Sequence, residues 1–355
     1  MIKSMNIAWW VKRWSELRPH KTAIIFEGNR ISYLELHRRI NRTCCWLQSL
    51  GMEKGDRVAL VAETNPDFIR FFYACQYAGL IPVALPASVK VGAHHAYVAQ
   101  LQRLLEASDA AIAVASEGYL SFLLEASEGL ALRMVDKPDA FHALPASQQA
   151  LPQINPGDIS YIQYTSGSTR FPRGVLITED AVLENLTGIA RHGLKLTPED
   201  RFFSWLPFYH DMGLIGKVLT PLSCQLSVDY LGTREFAMRP RLWLELMTRT
   251  RCTVSFGPPF GYELCARRLR EGDLPSYDLS HWRHAGAGAE MIRPEVLHAF
   301  SELLGPSGFR EEAFLPCYGM AECSLAISFA PLDEPFAVDE VDADHLSRTG
   351  EAVPA

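Results

Sequence analysis

The sequence predicts an α/β protein in which helices cover parallel β-sheets. Short apolar runs alternate with longer amphipathic segments, and strand, helix and strand at this spacing are typical of parallel α/β layers. Hydrophobic residues make up 48% of the 355 residues and charged residues 21%, which is enough to bury an ordinary globular core. This length corresponds to about two or three domains or subdomains.

The alternation is clearest in the first third of the chain. A turn at 54–56 precedes an apolar run at 57–62, which is predicted to be a buried strand. Residues 65–77 are then predicted to form a helix and 80–85 the next strand. The same reasoning predicts a helix at 98–107, a strand at 110–115, and linkers at 145–158 and in the acidic stretch 333–344.

Charge and hydropathy exclude two classes of partner. The net charge is −7 and the sequence pI is about 5.9, without the basic domain or stripe that a nucleic-acid-binding protein needs. The uncharged run 71–89 contains Gln76, Gly79, Pro82 and Pro86, so we predict a helix, a turn and a strand instead of a membrane span. Residues 1–18 lack the apolar core of a signal peptide. We therefore predict a soluble cytoplasmic protein.

The chain's eight cysteines form no C-x-x-C pair. Most of them lie beside apolar residues, as Cys44 and Cys45 do before Trp46. We predict free, buried thiols of a cytosolic protein.

A loop rich in hydroxyl groups and glycine lies between two β-prone runs at 161–175 (YIQYTSGSTRFPRGV). Small residues let backbone N–H groups approach phosphate oxygens, hydroxyls donate hydrogen bonds, and a cation offsets charge. An ordinary polar hairpin loop is the alternative for these residue types alone.

The order of residues in this loop resembles the phosphate loop of the adenylate-forming superfamily. That superfamily includes acyl-CoA synthetases, luciferases, peptide-synthetase adenylation domains and fatty acyl-AMP ligases. The usual pattern has glycine where Arg170 stands and lysine where Arg173 stands. Arg170 either strains the loop or adds a cation beside the triphosphate. The resemblance places these residues on the ATP phosphates: Thr165, Ser166, Gly167, Ser168, Thr169 and Arg173.

Two further stretches resemble the substrate-side motifs of this superfamily. In 204–216 (SWLPFYHDMGLIG), the resemblance places His210 near the acyl carboxylate. Residues 255–265 (SFGPPFGYELC) resemble the strand-to-helix turn that lines the acyl pocket, although a helix that begins with proline is a sufficient structural explanation. The acyl-pocket residues implied by the resemblance are Pro258, Pro259, Phe260 and Gly261.

Two more stretches resemble the nucleotide-side motifs. Residues 284–290 (HAGAGAE) resemble the adenine-binding turn, and 317–322 (CYGMAE) resemble the motif whose tyrosine stacks on adenine and whose glutamate holds Mg²⁺. Many superfamily members have threonine where Ala321 stands, whereas alanine is usual in fatty acyl-AMP ligases. The resemblance therefore implies an adenine site of Gly288, Ala289, Glu290 and Tyr318, and a Mg²⁺ ligand at Glu322.

The resemblance extends from 31–36 (ISYLEL) over nearly the whole chain and is closest to fatty acyl-AMP ligases. It implies that ATP, with Mg²⁺, activates a fatty acid to acyl-AMP and that an acyl carrier protein's phosphopantetheine thiol accepts the acyl group. His210, Arg173 and Glu322 are the implied catalytic residues. Two alternatives stay open, an acyl-CoA synthetase and a module that binds nucleotide or acyl chain without turnover.

The superfamily fold implies a division of the chain into subdomains. One α/β subdomain is expected at about 54–196 and the other from 1–53 plus 197–330, together forming the adenylation core 1–330. Residues 331–355 are expected to begin a β-rich subdomain or an insertion. Family members also carry a mobile C-terminal domain with a lysine that contacts the reacting groups, so the sequence is expected to be part of a longer protein.

Overall fold

A computed structural model describes residues 6–87, 93–145, 150–165 and 172–355. Its strands assemble into two sheets. In chain order they are β1 (Thr22–Phe26), β2 (Asn29–Ser32), β3 (Arg57–Val61), β4 (Ile81–Leu85), β5 (Ala110–Val114), β6 (Met134–Asp136), β7 (Ile159–Tyr164), β8 (Gly174–Thr178), β9 (Arg201–Ser204), β10 (Ser227–Tyr230), β11 (Val254–Gly257), β12 (His284–Ala287), β13 (Phe314–Gly319) and β14 (Ala326–Phe329).

Helices surround both sheets. They are α1 (Ala8–Leu17), α2 (Tyr33–Ser49), α3 (Pro66–Ala78), α4 (His94–Ser108), α5 (Glu117–Ala126), α6 (Glu179–Thr187), α7 (Asp211–Gly213), α8 (Thr220–Ser223), α9 (Thr233–Met238), α10 (Arg241–Thr250), α11 (Pro259–Arg268), α12 (Pro294–Leu304) and α13 (Ala343–Thr349). π-Helical turns lie at Gly188–Gly193 and Leu214–Leu219, and 3-10 turns at Pro138–Ala143, Glu271–Ser276, Gly305–Ser307, Glu311–Ala313 and Ala321–Cys323.

The smaller sheet has six strands in the order β6-β5-β3-β4-β7-β8, and both of its faces are covered. Along β3, Val58 and Leu60 join the main core, whereas Ala59 and Val61 join a second cluster with residues of α4 and α5. Successive side chains of a strand point to opposite faces, so this alternation places helices on both sides of the sheet. β7 and β8 pair antiparallel at one edge.

The larger sheet has eight strands in the order β14-β13-β12-β11-β9-β10-β1-β2. Its interior strands are parallel, while β2 and β14 pair antiparallel at the two edges. The α/β class is therefore confirmed, with antiparallel pairing at the three edge strands β2, β8 and β14. Tight connections to a neighbouring strand permit antiparallel pairing there, whereas parallel neighbours need a long crossover.

Local signals in the sequence explain where α3 begins and ends. The Asn65 side chain accepts a hydrogen bond from the Phe68 backbone N–H, and Pro66 occupies the first turn, where its missing N–H costs nothing. Gly79 ends the helix in a left-handed conformation with φ of +69°. The following residues enter β4, as the sequence predicts.

The other local predictions agree with the structure within a few residues. Strands β3, β4 and β5 occupy the predicted apolar runs, and α4 begins at His94, four residues before the predicted start at Val98. No helix among the described residues is long and apolar enough to cross a membrane. All eight cysteines are free, but burial is incomplete, since Cys323 is exposed.

The strands of the two sheets come from different parts of the chain. Those of the smaller sheet lie between residues 57 and 178, and those of the larger sheet lie at 22–32 and 201–329. We propose on this distribution that the chain divides into subdomains near residues 54 and 196. The segment 331–355, which carries α13, is proposed to begin a further unit.

Candidate active site

The superfamily-like motifs of the larger sheet all lie at the carboxyl ends of its strands. Gly257 of β11 pairs with Ala287 of β12, and Ala287 pairs with Pro316 of β13. The segments that follow these strands therefore begin at one edge of the sheet, together with the segment after β9. In open α/β sheets ligands bind in the crevice outside the carboxyl ends of the strands.

The predicted phosphate loop leaves the smaller sheet between β7 and β8. Thr165 and Arg173 close its base, because the Thr165 N–H donates to the Arg173 carbonyl at 2.9 Å and the Arg173 N–H donates to Thr165 Oγ1 at 3.2 Å. The other predicted phosphate-binding residues, with Arg170, lie outside the described residues: Ser166, Gly167, Ser168 and Thr169.

A buried glutamine joins this hairpin to the His210 motif. Gln163 of β7 donates from Nε2 to the Tyr209 carbonyl at 2.6 Å. His210 follows directly, and its ring is 45% exposed, with Nδ1 at 4.0 Å from Asp211 Oδ1. The imidazole is therefore accessible to a ligand near the base of the predicted phosphate loop.

Gly213 fixes the backbone around His210. A Cβ at this position would lie 2.1 Å from the Pro207 carbonyl oxygen, which only glycine avoids. The N–H groups of Gly213 and Leu214 donate to the His210 carbonyl at 3.0 and 2.8 Å. The chain after β9 thus turns back on itself and presents the His210 side chain outward.

The predicted acyl-pocket turn begins α11 and packs against an aromatic cluster. A Cβ on Gly261 would lie 2.6 Å from Trp205 Cζ2, so the glycine is required for this contact. The Glu290 carboxylate accepts a hydrogen bond from the Phe260 N–H at 2.8 Å, which satisfies a donor at the helix N-terminus. Glu290 thereby ties the predicted adenine turn to the predicted acyl turn.

The predicted adenine turn is tightly constrained. A Cβ on Gly288 would lie 2.6 Å from the Cys317 carbonyl oxygen, and Ala289 adopts a left-handed conformation with φ of +68°. A non-glycine residue in this region is held there by its surroundings, and such strain is concentrated at functional sites. Backbone at this turn is consequently fixed before any ligand arrives.

Tyr318 and Glu322 lie next to this turn. With His210 they form the exposed outer edge of the site, which we call the rim. The Tyr318 ring is 63% exposed, and Glu322 is exposed in the 3-10 turn Ala321–Cys323, which lies against β8 of the smaller sheet. The Glu322 carboxylate has no hydrogen bond or ion pair to any described residue. A carboxylate beside the phosphate-loop hairpin that has no partner among the described residues fits a magnesium ion, which prefers oxygen ligands.

A cavity that is partly open to solvent lies beneath this rim. Ala289 and Tyr318, two of the predicted adenine-site residues, line it, and Asp211 and Met212 line it beside His210. The predicted acyl-pocket residues and Glu322 do not line it. Sequence reasoning missed three lining residues of distinct chemistry: Lys217, Phe256 and Cys317.

Lys217 is the most unusual of these residues. Its side chain is only 1% exposed, and burial lowers the pKa of the amine well below its ordinary value. The Nζ atom lies 3.6 Å from the centre of the Phe256 ring and 5.0 Å from that of Phe202. Burial also raises the pKa of the Cys317 thiol to about 12, so this thiol is neutral near pH 7.

The fold and this site define a class of enzymes that bind a nucleotide at the edge of an α/β sheet. The sequence pattern of the AMP-binding enzyme family matches residues 11–354, and the chain belongs to that family.

Two relatives illustrate the range of the family. The chain is 45% identical over 313 residues to an acyl-CoA synthetase-like protein of Caulobacter vibrioides, which covers 87% of this chain and 54% of the relative. It is 30% identical over 327 residues to the medium-chain-fatty-acid acyl-carrier-protein ligase JamA of Moorena producens, with coverages of 91% and 55%. The chain therefore spans about half the length of the relatives it matches.

Solved structures agree with this assignment. One from a study of fatty acyl-adenylate ligases of E. coli and L. pneumophila superposes with a TM-score of 0.94 at 45% identity, over 98% of this chain and 63% of that one. A fatty acyl-adenylate ligase of L. pneumophila in complex with acyl adenylate and pyrophosphate superposes with a TM-score of 0.86 at 29% identity, over 96% and 60%.

Proposed function

We propose that the protein containing this chain activates a fatty acid with ATP, forming acyl-AMP and releasing pyrophosphate. The observation that carries the proposal is the meeting of three groups at one edge of the fold. These groups are the phosphate-loop hairpin closed by Thr165 and Arg173, the exposed His210, and the cavity lined by Ala289 and Tyr318. The name of the L. pneumophila complex, with acyl adenylate and pyrophosphate, supports the same chemistry.

The phosphate side of the site is assigned to the hairpin and to Glu322. Thr165 and Arg173, with the four residues 166–169, would hold the β- and γ-phosphates of ATP. Glu322 would hold Mg²⁺, which, when bound, offsets negative charge on the phosphate oxygens. The contact of the Glu322 turn with β8 supports this assignment, because β8 is the second strand of the same hairpin.

The nucleoside side is assigned to the turn after β12 and the end of β13. The exposed Tyr318 ring offers a face on which adenine stacks, and the fixed backbone of Gly288 and Ala289 lets the flat ring approach closely. Glu290 holds this turn against Phe260 through its hydrogen bond. The proposed acyl path enters the cavity between this turn and the wall at Phe256.

The reaction needs positioning more than proton transfer. A fatty acid is already ionised near pH 7, so its carboxylate oxygen attacks the α-phosphorus without a general base. The new bond joins acyl oxygen to phosphorus while the bond to the pyrophosphate oxygen breaks. His210 orients the carboxylate, and the cationic groups offset the repulsion between the two anions as they come into line.

The proposed acceptor of the acyl group is the phosphopantetheine thiol of an acyl carrier protein. The JamA name and the alanine at position 321 support this acceptor, whereas the Caulobacter relative favours CoA as the second candidate. Eight free cysteines support a reducing, cytoplasmic location.

Mass spectrometry of reaction mixtures tests the proposal directly. The protein is incubated with ATP, Mg²⁺ and a mixture of fatty acids, and acyl-AMP is the expected product. Parallel tubes receive CoA or a phosphopantetheinylated carrier protein, and the carrier protein is expected to become acylated while acyl-CoA stays near background. Nucleotide binding without any acyl-AMP would instead identify a binding module, and efficient acyl-CoA formation would favour the second candidate.

A further inference from the structure

The wall of the cavity carries an amine where an apolar side chain would pack at lower cost. Lys217 lies in the π-helical turn Leu214–Leu219, directly after the His210 motif, and such turns are frequent at functional sites. Removing an ammonium group from water costs several kcal/mol in a protein interior. Methionine or leucine has similar volume and would avoid that cost. The amine at this position therefore calls for an explanation beyond packing.

The described residues leave the Lys217 amine without a polar partner. Nζ lies near the rings of Phe256 and Phe202, and no hydrogen bond or ion pair joins it to any described residue. The backbone is nevertheless fixed, because the Tyr230 hydroxyl donates to the Lys217 carbonyl at 2.8 Å. A held backbone and an unpartnered amine leave the hydrogen-bond donors of Nζ available to a ligand.

This side chain borders the cavity beneath the rim. Tyr318, 63% exposed, lies on the outer side of that cavity, and Lys217, 1% exposed, belongs to its buried wall. The remaining wall near Lys217 is largely apolar, formed by side chains such as Ile189, Leu325 and Phe329. A saturated hydrocarbon chain in this cavity would satisfy the apolar wall but leave the amine unpaired.

We propose that this cavity selects an acyl chain that carries a hydrogen-bond-accepting oxygen, such as a hydroxyl, oxo or second carboxylate group, which Lys217 Nζ binds. The inference rests on the proposed function, because it names the class of acid that the adenylating site takes. A site built to bind a polar group discriminates strongly against the analogue that lacks it, since the buried donor is then left unpaired.

The test compares acids of one chain length. Dodecanoic acid, a set of hydroxydodecanoic and oxododecanoic acids, and dodecanedioic acid are each supplied with ATP and Mg²⁺, and kcat/KM is measured by pyrophosphate release. We expect the best oxygenated acid to exceed dodecanoic acid about tenfold, the ratio that one net hydrogen bond in a buried site provides. Comparison of the acids within the series identifies which oxygen group is bound and at which carbon.

Two variants locate the source of the preference. Lys217→Met removes the amine and keeps the volume, so the ratio of oxygenated to plain acid is expected to fall to about one or below. Lys21→Met makes the same chemical change at a partly buried lysine that does not line the cavity, and it should retain the wild-type ratio. Binding of each free acid by calorimetry gives the same comparison without turnover.

The outcomes separate this inference from the proposed function. If dodecanoic acid is adenylated as well as every oxygenated acid by the wild-type protein, the inference is wrong and the function stands. Loss of ATP affinity in Lys217→Met with an unchanged acid ratio would also overturn it, since the amine would then serve the nucleotide. If no acid binds and no acyl-AMP forms, both fail. The wild-type ratio decides even if Lys217→Met does not fold.

Discussion

The rim of the candidate site and the wall beneath it are held in opposite ways. On the rim, His210, Tyr318 and Glu322 expose their side chains and make few contacts with other side chains. In the wall, Lys217 and Phe256 are buried, and a Cβ on Gly286 would lie 2.1 Å from Cδ2 of the Phe256 ring. Exposed side chains on a rigid backbone are free to bind ligand, so changes on the rim should affect activity. Changes in the frame, meaning the buried residues other than Lys217 and the glycines in tight turns, should affect stability.

Glu322→Gln should give the largest effect on the rim. The substitution removes the charge of the proposed Mg²⁺ ligand from an exposed position, so adenylation should fall about 10²–10³-fold, as for loss of one catalytic electrostatic group. The free energy of unfolding should stay within about 0.5 kcal/mol of wild type. Glu312→Gln, an exposed glutamate at the opposite end of β13, is the matched control. A variant at 322 with wild-type adenylation would remove this residue from the site.

Among the residues of the frame, Glu179 should give the largest change in the free energy of unfolding when it is substituted. Its carboxylate is buried at the start of α6 and accepts a hydrogen bond from the Ile7 N–H at 3.2 Å, and burial raises its pKa from 4.5 to about 7. Because the folded pKa lies above the unfolded one, the stability contributed by Glu179 is fully present below about pH 4.5 and is lost as the pH rises through about 7.

Glu179→Gln should therefore be more stable than wild type at pH 8 but not at pH 5. The shift corresponds to a difference of about 3 kcal/mol between the two pH values. Urea unfolding at both pH values measures it, and Glu184→Gln, on the same helix, is the control. An equal change in unfolding free energy at pH 5 and pH 8 would contradict the raised pKa.

Gly213→Ala tests whether the tight turn at 207–213 requires glycine. Its Cβ would meet the Pro207 carbonyl oxygen, so the free energy of unfolding should fall by about 1–3 kcal/mol. Gly188→Ala is a matched control, because its backbone is helical and no atom lies within 4 Å of the added Cβ. It should be neutral or more stable by up to about 1 kcal/mol. Equal urea midpoints for the two variants would show that the turn at 207–213 can relax.

Tyr318→Ala should have the smallest effect of the series. Loss of the ring removes the proposed stacking on adenine, worth about 1–3 kcal/mol for a base on an aromatic side chain. ATP affinity measured by calorimetry should fall about tenfold or more, while Tyr318→Phe, which keeps the ring, should bind as wild type. Undiminished ATP affinity in the alanine variant would place adenine elsewhere.

The sequence analysis named the residues of the rim, whose roles remain predictions, but it named none of the wall residues Lys217, Phe256 and Cys317. Short ordered motifs carry His210, Tyr318 and Glu322, and each falls at the carboxyl end of a strand or in the turn that follows it. Lys217 lies inside an apolar run at 212–222, where a single lysine reads as an ordinary helix residue. Only the packing of the π-helical turn against β9 and β11 reveals that its amine is buried.

The fold shows the same division between local and long-range information. Helix α3 was predictable because Asn65, Pro66 and Gly79 mark its ends. The start of α4 at His94 carries no side-chain cap, so the pattern placed it too late. The direction of pairing at β2, β8 and β14 depends on which strand lies beside each edge, and periodicity within a strand contains no such information.

Exchange of labelled pyrophosphate into ATP is the most direct measurement of the central claim. Reversible formation of acyl-AMP returns label to ATP only when a fatty acid, ATP and Mg²⁺ are all present. Exchange should depend on all three and should fall about 10²–10³-fold in Glu322→Gln. Exchange that stays at background with every fatty acid, in a protein that binds ATP, would contradict it.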